Sequence, residues 1–312
     1  MSVRGTVVKL DRSLPLVELP DGSQVRCEHA TELVKHGEQR AVIGDAVEVS
    51  EPDAHDVAVI QRILPRATHL VRRDPKERTA EQVMAANFQV VFVVQPMNRL
   101  NVRRLERELV LAFETGARVA VILTKADLVQ DADRVRAVAE VAALVGADVP
   151  VLVLARGSDE GLEQVRAMIP AGATAVLMGQ SGAGKSTLIN RLTGQDVRKT
   201  SEVRAADGKG RHTTVSRAII NVPGGGRIVD MPGVRGMGLW DAERGISAAF
   251  QDVEQLAAEC RFRDCAHGSE PGCAVQAAIQ TGMLSQQRLD SYQSLRAELH
   301  QIQERLRQQS WR

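Results

Sequence analysis

The rhythm of hydrophobic and polar positions divides the chain into three stretches. From Val3 to about Pro65, short β-branched runs alternate with turns: "RGTVVKL", "LPLVELPDGSQVRC" and "DAVEVS", with "PDG" as a turn signal. No helical period competes there, so the pattern predicts a small all-β barrel. "RILPRATHLVRRDP" follows and reads as a basic linker carrying Arg62, Arg66, Arg72 and Arg73.

From about Ala85 the pattern becomes strand, helix, strand. "QVVFVVQP", "RVAVILTKADL", "VPVLVLA" and "TAVLMG" are apolar runs of buried-strand type, and "GGRIVDMPG" is a further strand. Between them lie the helical periods of "NVRRLERELVLAFETG", "ADRVRAVAEVAALVG", "EGLEQVRAMI" and "KSTLINRLTG". Strands alternating with helices predict a mostly parallel sheet covered by helices.

From about Gly245 the chain reads as helix, cysteine cluster, helix. In the last stretch Leu289, Tyr292, Leu295, Leu299, Ile302 and Leu306 recur at three- and four-residue spacing, which makes one apolar face. Such a face either docks on the rest of the protein or takes a partner helix. The predicted domains are 1–66, an OB-like β-barrel; 67–244, the α/β domain; and 245–312, a helical domain with the cysteines. The fold class is therefore multidomain α/β.

Composition narrows the function classes. The formal net charge is +1, so a nucleic-acid surface must rest on local clusters. Aromatic residues are 3%, which weakens any model based on stacking many bases. The N-terminus carries no apolar segment of signal-peptide length, and no run approaches the roughly 18 residues of a membrane span. The expected location is the cytoplasm, without a membrane partner, and nothing demands more than a monomer.

Gly179-Gln180-Ser181-Gly182-Ala183-Gly184-Lys185-Ser186, followed by Thr187, fits G-x-x-x-x-G-K-[ST] in full, after an apolar strand and before a helix. Such a loop wraps phosphate oxygens with backbone N–H groups, and the helix N-terminus adds positive potential. Lys185 is placed to reach the β- and γ-phosphates and Ser186 to ligate Mg²⁺. Asp230-Met-Pro-Gly233 ends a strand. Alone it is a common turn; downstream of a phosphate loop, Asp230 can hold Mg²⁺ through water and Gly233 can offer its N–H to the γ-phosphate. Between the two lies "DGKGRHTTVSR". Thr213 or Thr214 is a candidate to complete the Mg²⁺ shell. His212 is either a group that orients water or phosphate, or a solvated histidine.

Thr124-Lys125-Ala126-Asp127 follows the strand "RVAVIL". A carboxylate there can accept the adjacent N1–H and 2-amino donors of guanine, which adenine lacks, and the lysine stem can cover the base. The same residue types also cap helices, so the motif gains its weight from position. It precedes the phosphate loop, the reverse of the order in ordinary nucleotide-switch proteins. Lastly, Cys260-x-x-x-x-Cys265-x-His267-x-x-x-x-x-Cys273 supplies three thiolates and one imidazole, a donor set for a closed structural zinc site. The fourth cysteine, Cys27, stands apart.

The order T-K-x-D, GQSGAGKST, GRHTT, DMPG and then the cysteine cluster resembles the RsgA (YjeQ, EngC) family of circularly permuted GTPases of small ribosomal subunit biogenesis. The resemblance covers nearly the whole chain. It implies an N-terminal OB-like barrel, a permuted GTPase domain and a C-terminal zinc domain. It also implies GTP hydrolysis to GDP stimulated by the 30S subunit, contact with 16S rRNA, and action late in that subunit's maturation. Carried over, Gly179 to Thr187 bind phosphates and Mg²⁺, Asp127 reads guanine, the backbone of Ala155 meets guanine O6, and Cys260, Cys265, His267 and Cys273 hold one structural Zn²⁺. Val234 stands where other GTPases carry a water-orienting glutamine, and His212 is the family's candidate for that task. Two departures stand out: Thr124 where many members have asparagine, and Leu154-Ala155 where the family reads Ser-Ala.

Local support for RNA contact comes from the basic linker, from Arg198, Lys199, Arg204, Lys209 and Arg211, and from Arg261 and Arg263. The permuted order leads the chain from Asp230 through "VRGMGLWDAERG" directly into the cysteine-bearing region. Movement of a nucleotide switch over 230–238 is therefore expected to reach that region, with the barrel tethered at the other end. Alternative readings are an ATPase, or a divergent paralogue acting as a slow nucleotide-gated RNA- or protein-binding switch outside ribosome assembly.

Overall fold

A computed structural model of the chain describes residues 2–10, 14–35, 40–50, 57–73, 81–194, 217–231 and 242–310. The chain forms two compact units. One comprises Met1–Val71, Gln82–Leu100 and Gly116–Gly236; the other comprises Arg72–Glu81, Asn101–Thr115 and Met237–Arg312.

The first unit begins with the barrel. Strands β1 (Ser2–Leu10), β2 (Pro15–Glu18), β3 (Gln24–His29), β4 (Ala46–Ser50) and β5 (Ala58–Ile63) pair in the order β1-β2-β3-β5-β4, and β4 closes on β1. A short helix, α1 (Thr31–Lys35), follows β3. Alternation along each strand sends Val7, Val17, Cys27, Val47, Val49 and Ile60 inward. Burial pushes the Cys27 thiol up to about 11, so this cysteine is a small core hydrophobe. The "PDG" turn forms as expected: Asp21 Oδ1 accepts from Ser23 N at 2.9 Å and Ser23 Oγ at 2.6 Å, across a left-handed Gly22. Gly5 lets β1 and β2 cross closely, because a Cβ there would lie 2.4 Å from Val17 Cγ1.

Over its described residues, 62–73, the expected basic linker is largely strand. Its first residues end β5, and β6 (His69–Arg73) pairs with β7 (Glu81–Ala86). Arg66 forks onto Asp45, Nε to Oδ1 at 2.7 Å and Nη2 to Oδ2 at 2.8 Å, and Asp45 is fully buried. Arg66 is thus neutralised against the barrel, which is why it does not serve as free positive charge. Arg62 pairs with Glu48 at 3.4 Å on the barrel surface.

The same unit holds the α/β sheet. Strands β8 (Val90–Pro96), β9 (Arg118–Thr124), β10 (Val151–Val153), β11 (Thr174–Met178), β12 (Arg217–Asn221) and β13 (Arg227–Asp230) lie in the order β10-β9-β8-β11-β13-β12. All pairings but β12–β13 are parallel. Every residue of β8 is buried, as a central parallel strand requires. The core packs Phe92, Val94, Ile122 and Leu177 against Leu162 and Val165 of α4 (Glu160–Ala167) and Leu188, Ile189 and Leu192 of α5 (Lys185–Thr193). The remaining helix of this sheet is α3 (Asp131–Val145).

Strand β12 was not among the predicted strands, and it joins the two sheets. Its free edge pairs antiparallel with β1, Lys9 opposite Ala218 and Leu10 opposite Arg217. The barrel is therefore continuous with the α/β sheet through a hydrogen-bonded ladder. The length of β1 makes this possible: Ser2–Thr6 pair with β4, and its last two residues reach β12. A register shift between Val7 and Lys9 re-aims the strand between those tasks. Arg227 and Glu18 form an ion pair beside the seam.

The second unit is helical: α2 (Val102–Glu114), α6 (Glu243–Ala249), α7 (Gln251–Ala258), α8 (Ala274–Gln280) and α9 (Gln286–Ser310). Asn101 caps α2 by accepting from Arg104 N. Leu289, Tyr292, Leu295, Leu299 and Ile302 of α9 are buried, which decides for the docked helix. Arg288 is the polar centre: Nη1 donates to Glu106 Oε1 at 2.8 Å, Nη2 to Asp252 Oδ1 at 2.9 Å and to Ala249 O at 2.6 Å. Its guanidinium lies 4.1 Å from the Phe250 ring centroid. By chain position α2 falls within 67–244, yet it groups with the C-terminal helices.

Candidate functional site

The C-terminal ends of β9, β10, β11 and β13 converge on one edge of the sheet, the end where open α/β sheets place ligands. Register makes the convergence explicit: Thr124 lies opposite Pro96, and Asp230 opposite Leu177, two residues before Gly179. A cleft of about 560 Å³ lies elsewhere, lined by Asn87, Gln89 and Thr174 at the other ends of β8 and β11, and brings together no comparable set of charged groups.

The phosphate loop leaves β11 at Gly179, whose φ of +144° no side chain adopts easily; a Cβ there would lie 2.3 Å from Val94 O. Gly182 and Gly184 are also left-handed, at +77° and +97°. Helix α5 then opens at Lys185. The Lys185 ammonium is buried and donates to Gly179 O at 2.7 Å and Gln180 O at 3.0 Å, which holds the charge across the loop. Ser186 is half-buried in the first turn, and Ser181, Gly182 and Thr187 are exposed.

Thr124 links this loop to the T-K-x-D turn. Its Oγ1 donates to Ala183 O at 2.6 Å, with Gln95 O at 3.3 Å. The hydroxyl is thus bound to the phosphate loop. Lys125 adopts a left-handed φ of 60°, turning the chain so that Ala126 N meets Leu154 O at 3.2 Å. Asp127 is exposed at the mouth, and its Oδ1 accepts from Arg156 N at 2.9 Å. The Leu154-Ala155 segment is therefore built into the same turn. Leu154 is buried and its N–H donates to Leu123 O at 2.8 Å.

Sequence reasoning passed over Arg191, in the last turn of α5. Its Nη1 donates to Ala155 O at 3.0 Å and its Nη2 to Asp159 Oδ1 at 3.1 Å, with Ser158 O a further acceptor. An arginine near a helix C-terminus is unremarkable in sequence, so only its three-dimensional partners reveal it. His212, Thr213, Thr214, Gly233 and Val234, and the basic residues Arg198, Lys199, Arg204, Lys209 and Arg211, lie outside the described residues, as does the switch segment over 232–238.

In the second unit the cysteine cluster assembles. The ligand atoms of Cys260, Cys265, His267 and Cys273 all lie within 4.8 Å of one another. Cys260 Sγ and Cys273 Sγ are 3.8 Å apart, and each lies 3.6 Å from His267 Nδ1. A tetrahedron with zinc–sulfur bonds of about 2.3 Å has sulfur–sulfur edges of about 3.8 Å, so the donors fit Zn²⁺. The left-handed φ of 60° at His267 turns its ring inward, and its carbonyl accepts from Gln276 Nε2 at 2.6 Å. The backbone amides of Glu270, Ala266 and Gly268 hold the Glu270 carboxyl below its usual range and rigidify the loop.

Comparison with known proteins decides the family. The RsgA GTPase model matches residues 63–240, more than half of the chain. The chain belongs to the RsgA GTPase family. It is thereby a GTP-hydrolysing enzyme, which implies GTP, GDP and Mg²⁺ as ligands. It is 46% identical over 300 residues to a protein of Streptomyces avermitilis named small ribosomal subunit biogenesis GTPase RsgA, covering 96% of this chain and 80% of that one. The fold is that of YjeQ from Thermotoga maritima (TM-score 0.71, 24% identity, 96% of this chain and 99% of that one). YloQ, described as a circularly permuted GTPase, shares it as well (TM-score 0.67, 23% identity, 98% and 96%). The multidomain α/β architecture with an OB-like barrel matches these neighbours. Among the described residues no helix is long and apolar enough to cross a membrane.

Proposed function

We propose that the chain hydrolyses GTP at the Gly179–Thr187 loop, binds the 30S subunit through 16S rRNA, acts late in its maturation, and is stimulated by it. The observation that carries the site reading is the Thr124–Ala183 hydrogen bond, which joins the base-reading turn to the phosphate loop at one sheet edge. The RsgA name of the Streptomyces avermitilis relative supports the ribosomal role. In this reading Gly179, Gln180, Ser181, Gly182, Ala183, Gly184, Lys185, Ser186 and Thr187 hold the phosphates. Ser186 and Asp230 hold Mg²⁺, with Thr214 or Thr213 completing its shell.

Lys125 and Ala126 shape the base turn, and Asp127 accepts from guanine N1–H and the 2-amino group. Ala155 offers its N–H to O6. His212 orients water and Gly233 senses the γ-phosphate. Magnesium would neutralise developing charge on the phosphates. Cys260, Cys265, His267 and Cys273 hold one structural Zn²⁺ with no open position for chemistry. The protein acts as a monomer in the cytoplasm. The proposed domains remain 1–66, 67–244 and 245–312.

Steady-state GTP hydrolysis with and without purified 30S subunits tests the reading, alongside Asp127→Ala and Lys185→Ala. Strong stimulation, lost in both variants, is expected. Hydrolysis indifferent to 30S subunits would turn the assignment toward a nucleotide-gated switch outside ribosome assembly, and hydrolysis indifferent to the base would remove Asp127 from its role.

A further inference from the structure

The loop over 155–159 joins β10 to α4 at the nucleotide edge. It leaves the three-residue strand β10, turns through a left-handed Gly157 at +84°, and is exposed from Arg156 to Asp159. Besides its own backbone bonds, among them Asp159 O accepting from Leu162 N and Glu163 N, two side chains from other elements hold it. Asp127 Oδ1 accepts from the N–H of Arg156, and the guanidinium of Arg191 collects Ala155 O, Ser158 O and Asp159 Oδ1.

Arg191 belongs to α5, the helix whose first residue is Lys185. The arginine therefore connects the helix that carries the phosphate loop to the loop that faces the base. Its own carbonyl is gripped in turn by Arg166 Nη2 at 3.3 Å, and Arg166 Nη1 reaches Pro223 O at 3.1 Å. The Arg191 side chain is mostly shielded, 24% exposed, whereas Asp159 is 83% exposed. The ion pair is accordingly screened and weak, and the two carbonyl bonds carry the geometry. A planar fork can span acceptors on separate residues; an ammonium cannot do so with the same geometry.

We propose that Arg191 is a positioning residue for base selection. By fixing the 155–159 loop against α5 it sets where the Ala155 and Arg156 N–H groups point, although it touches neither base nor phosphate. A backbone donor at that place suits the 6-oxo group of guanine and opposes the 6-amino group of adenine. Selectivity between the two purines then depends on a side chain remote from both. The proposal rests on Asp127 and this loop reading the base, as set out above.

Equilibrium binding of GDP and of ADP to the full chain tests it, in wild type, Arg191→Ala and Arg191→Lys. The alanine variant is expected to bind GDP about tenfold more weakly, with ADP changed by less than about twofold. The lysine variant falls between, with its loss also confined to GDP. Melting temperatures within about 3 °C of wild type show that the helix stays packed. Equal losses for GDP and ADP would reduce Arg191 to a packing role and overturn the proposal, and so would unchanged GDP binding. If the alanine variant does not fold, the lysine variant decides by the same criterion. A wild type that does not prefer GDP to ADP overturns the base-reading assignment itself and this proposal with it. A normal preference that survives in both variants overturns this proposal alone.

Discussion

Thr124 has one hydroxyl proton, and its shortest acceptor is Ala183 O at 2.6 Å. A side chain that spends its donor on the phosphate loop supports phosphate binding whatever base is attached. Thr124→Val keeps the shape, removes the bond and leaves a buried carbonyl short of a partner. The expected result is a loss of about tenfold in both GDP and ADP affinity, with Thr124→Ser close to wild type; isothermal titration measures it. The contrast with Arg191 is the informative part: a uniform loss at 124 against a guanine-only loss at 191. Position 124 was legible as part of a base motif, but its hydrogen-bond partner was not. Ala183 is 59 residues away along the chain, and only sheet register brings the two together.

At the scale of elements, the helical unit carries two polar devices with different tasks. Arg288 is 7% exposed and faces Glu106, which is 1% exposed. Arg288→Met strips the buried carboxylate of its countercharge. It is expected to destabilise the protein by about 3–5 kcal/mol in denaturant titration, because the cost is an uncompensated buried charge. Replacing Arg288 and Glu106 together by apolar residues is expected to restore much of that loss.

The Cys₃His loop is the second device. Cys273 both belongs to the candidate metal-ligand set and caps α8, its Sγ accepting from Gln276 N at 3.4 Å. Cys273→Ser separates the roles, since serine still caps the helix. The wild type is expected to hold about one zinc per chain by elemental analysis. The serine variant should lose the metal together with the thermal stability of this unit, and chelation of the wild type should reproduce that loss. The cysteine spacing was readable because ligand types and intervals are local in sequence. The left-handed His267 and the Glu270 clamp that shape the loop were not, since both depend on backbone conformation.

At the scale of the whole molecule, the reversed motif order is harmless to the sheet. Strands β9 and β11 both flank β8, and pairing does not depend on which comes first in the chain. The consequence lies in what the ends attach to. In sequence β13 is followed by the C-terminal helices, while β12 pairs with the barrel strand β1. Deleting residues 1–66 therefore exposes the edge of β12 as well as removing a module. The truncated chain is expected to self-associate, detected by size-exclusion chromatography with light scattering, because an unpaired strand edge templates pairing.

The sequence by itself determined the alternation of strands and helices, the G-x-x-x-x-G-K-S loop, the T-K-x-D motif and the Cys₃His set. Each of these is written in short-range periodicity or fixed spacing, and short-range patterns survive without knowledge of the fold. Only the tertiary structure decided that Thr124 ties the loop, that Arg191 holds the 155–159 segment, and that Arg66 is neutralised by a buried Asp45. It alone decided that the barrel continues into the α/β sheet through β12 and that α2 groups with the C-terminal helices. Those outcomes depend on which distant residues meet, and a side chain's partner across the fold leaves no mark on its neighbours in the chain.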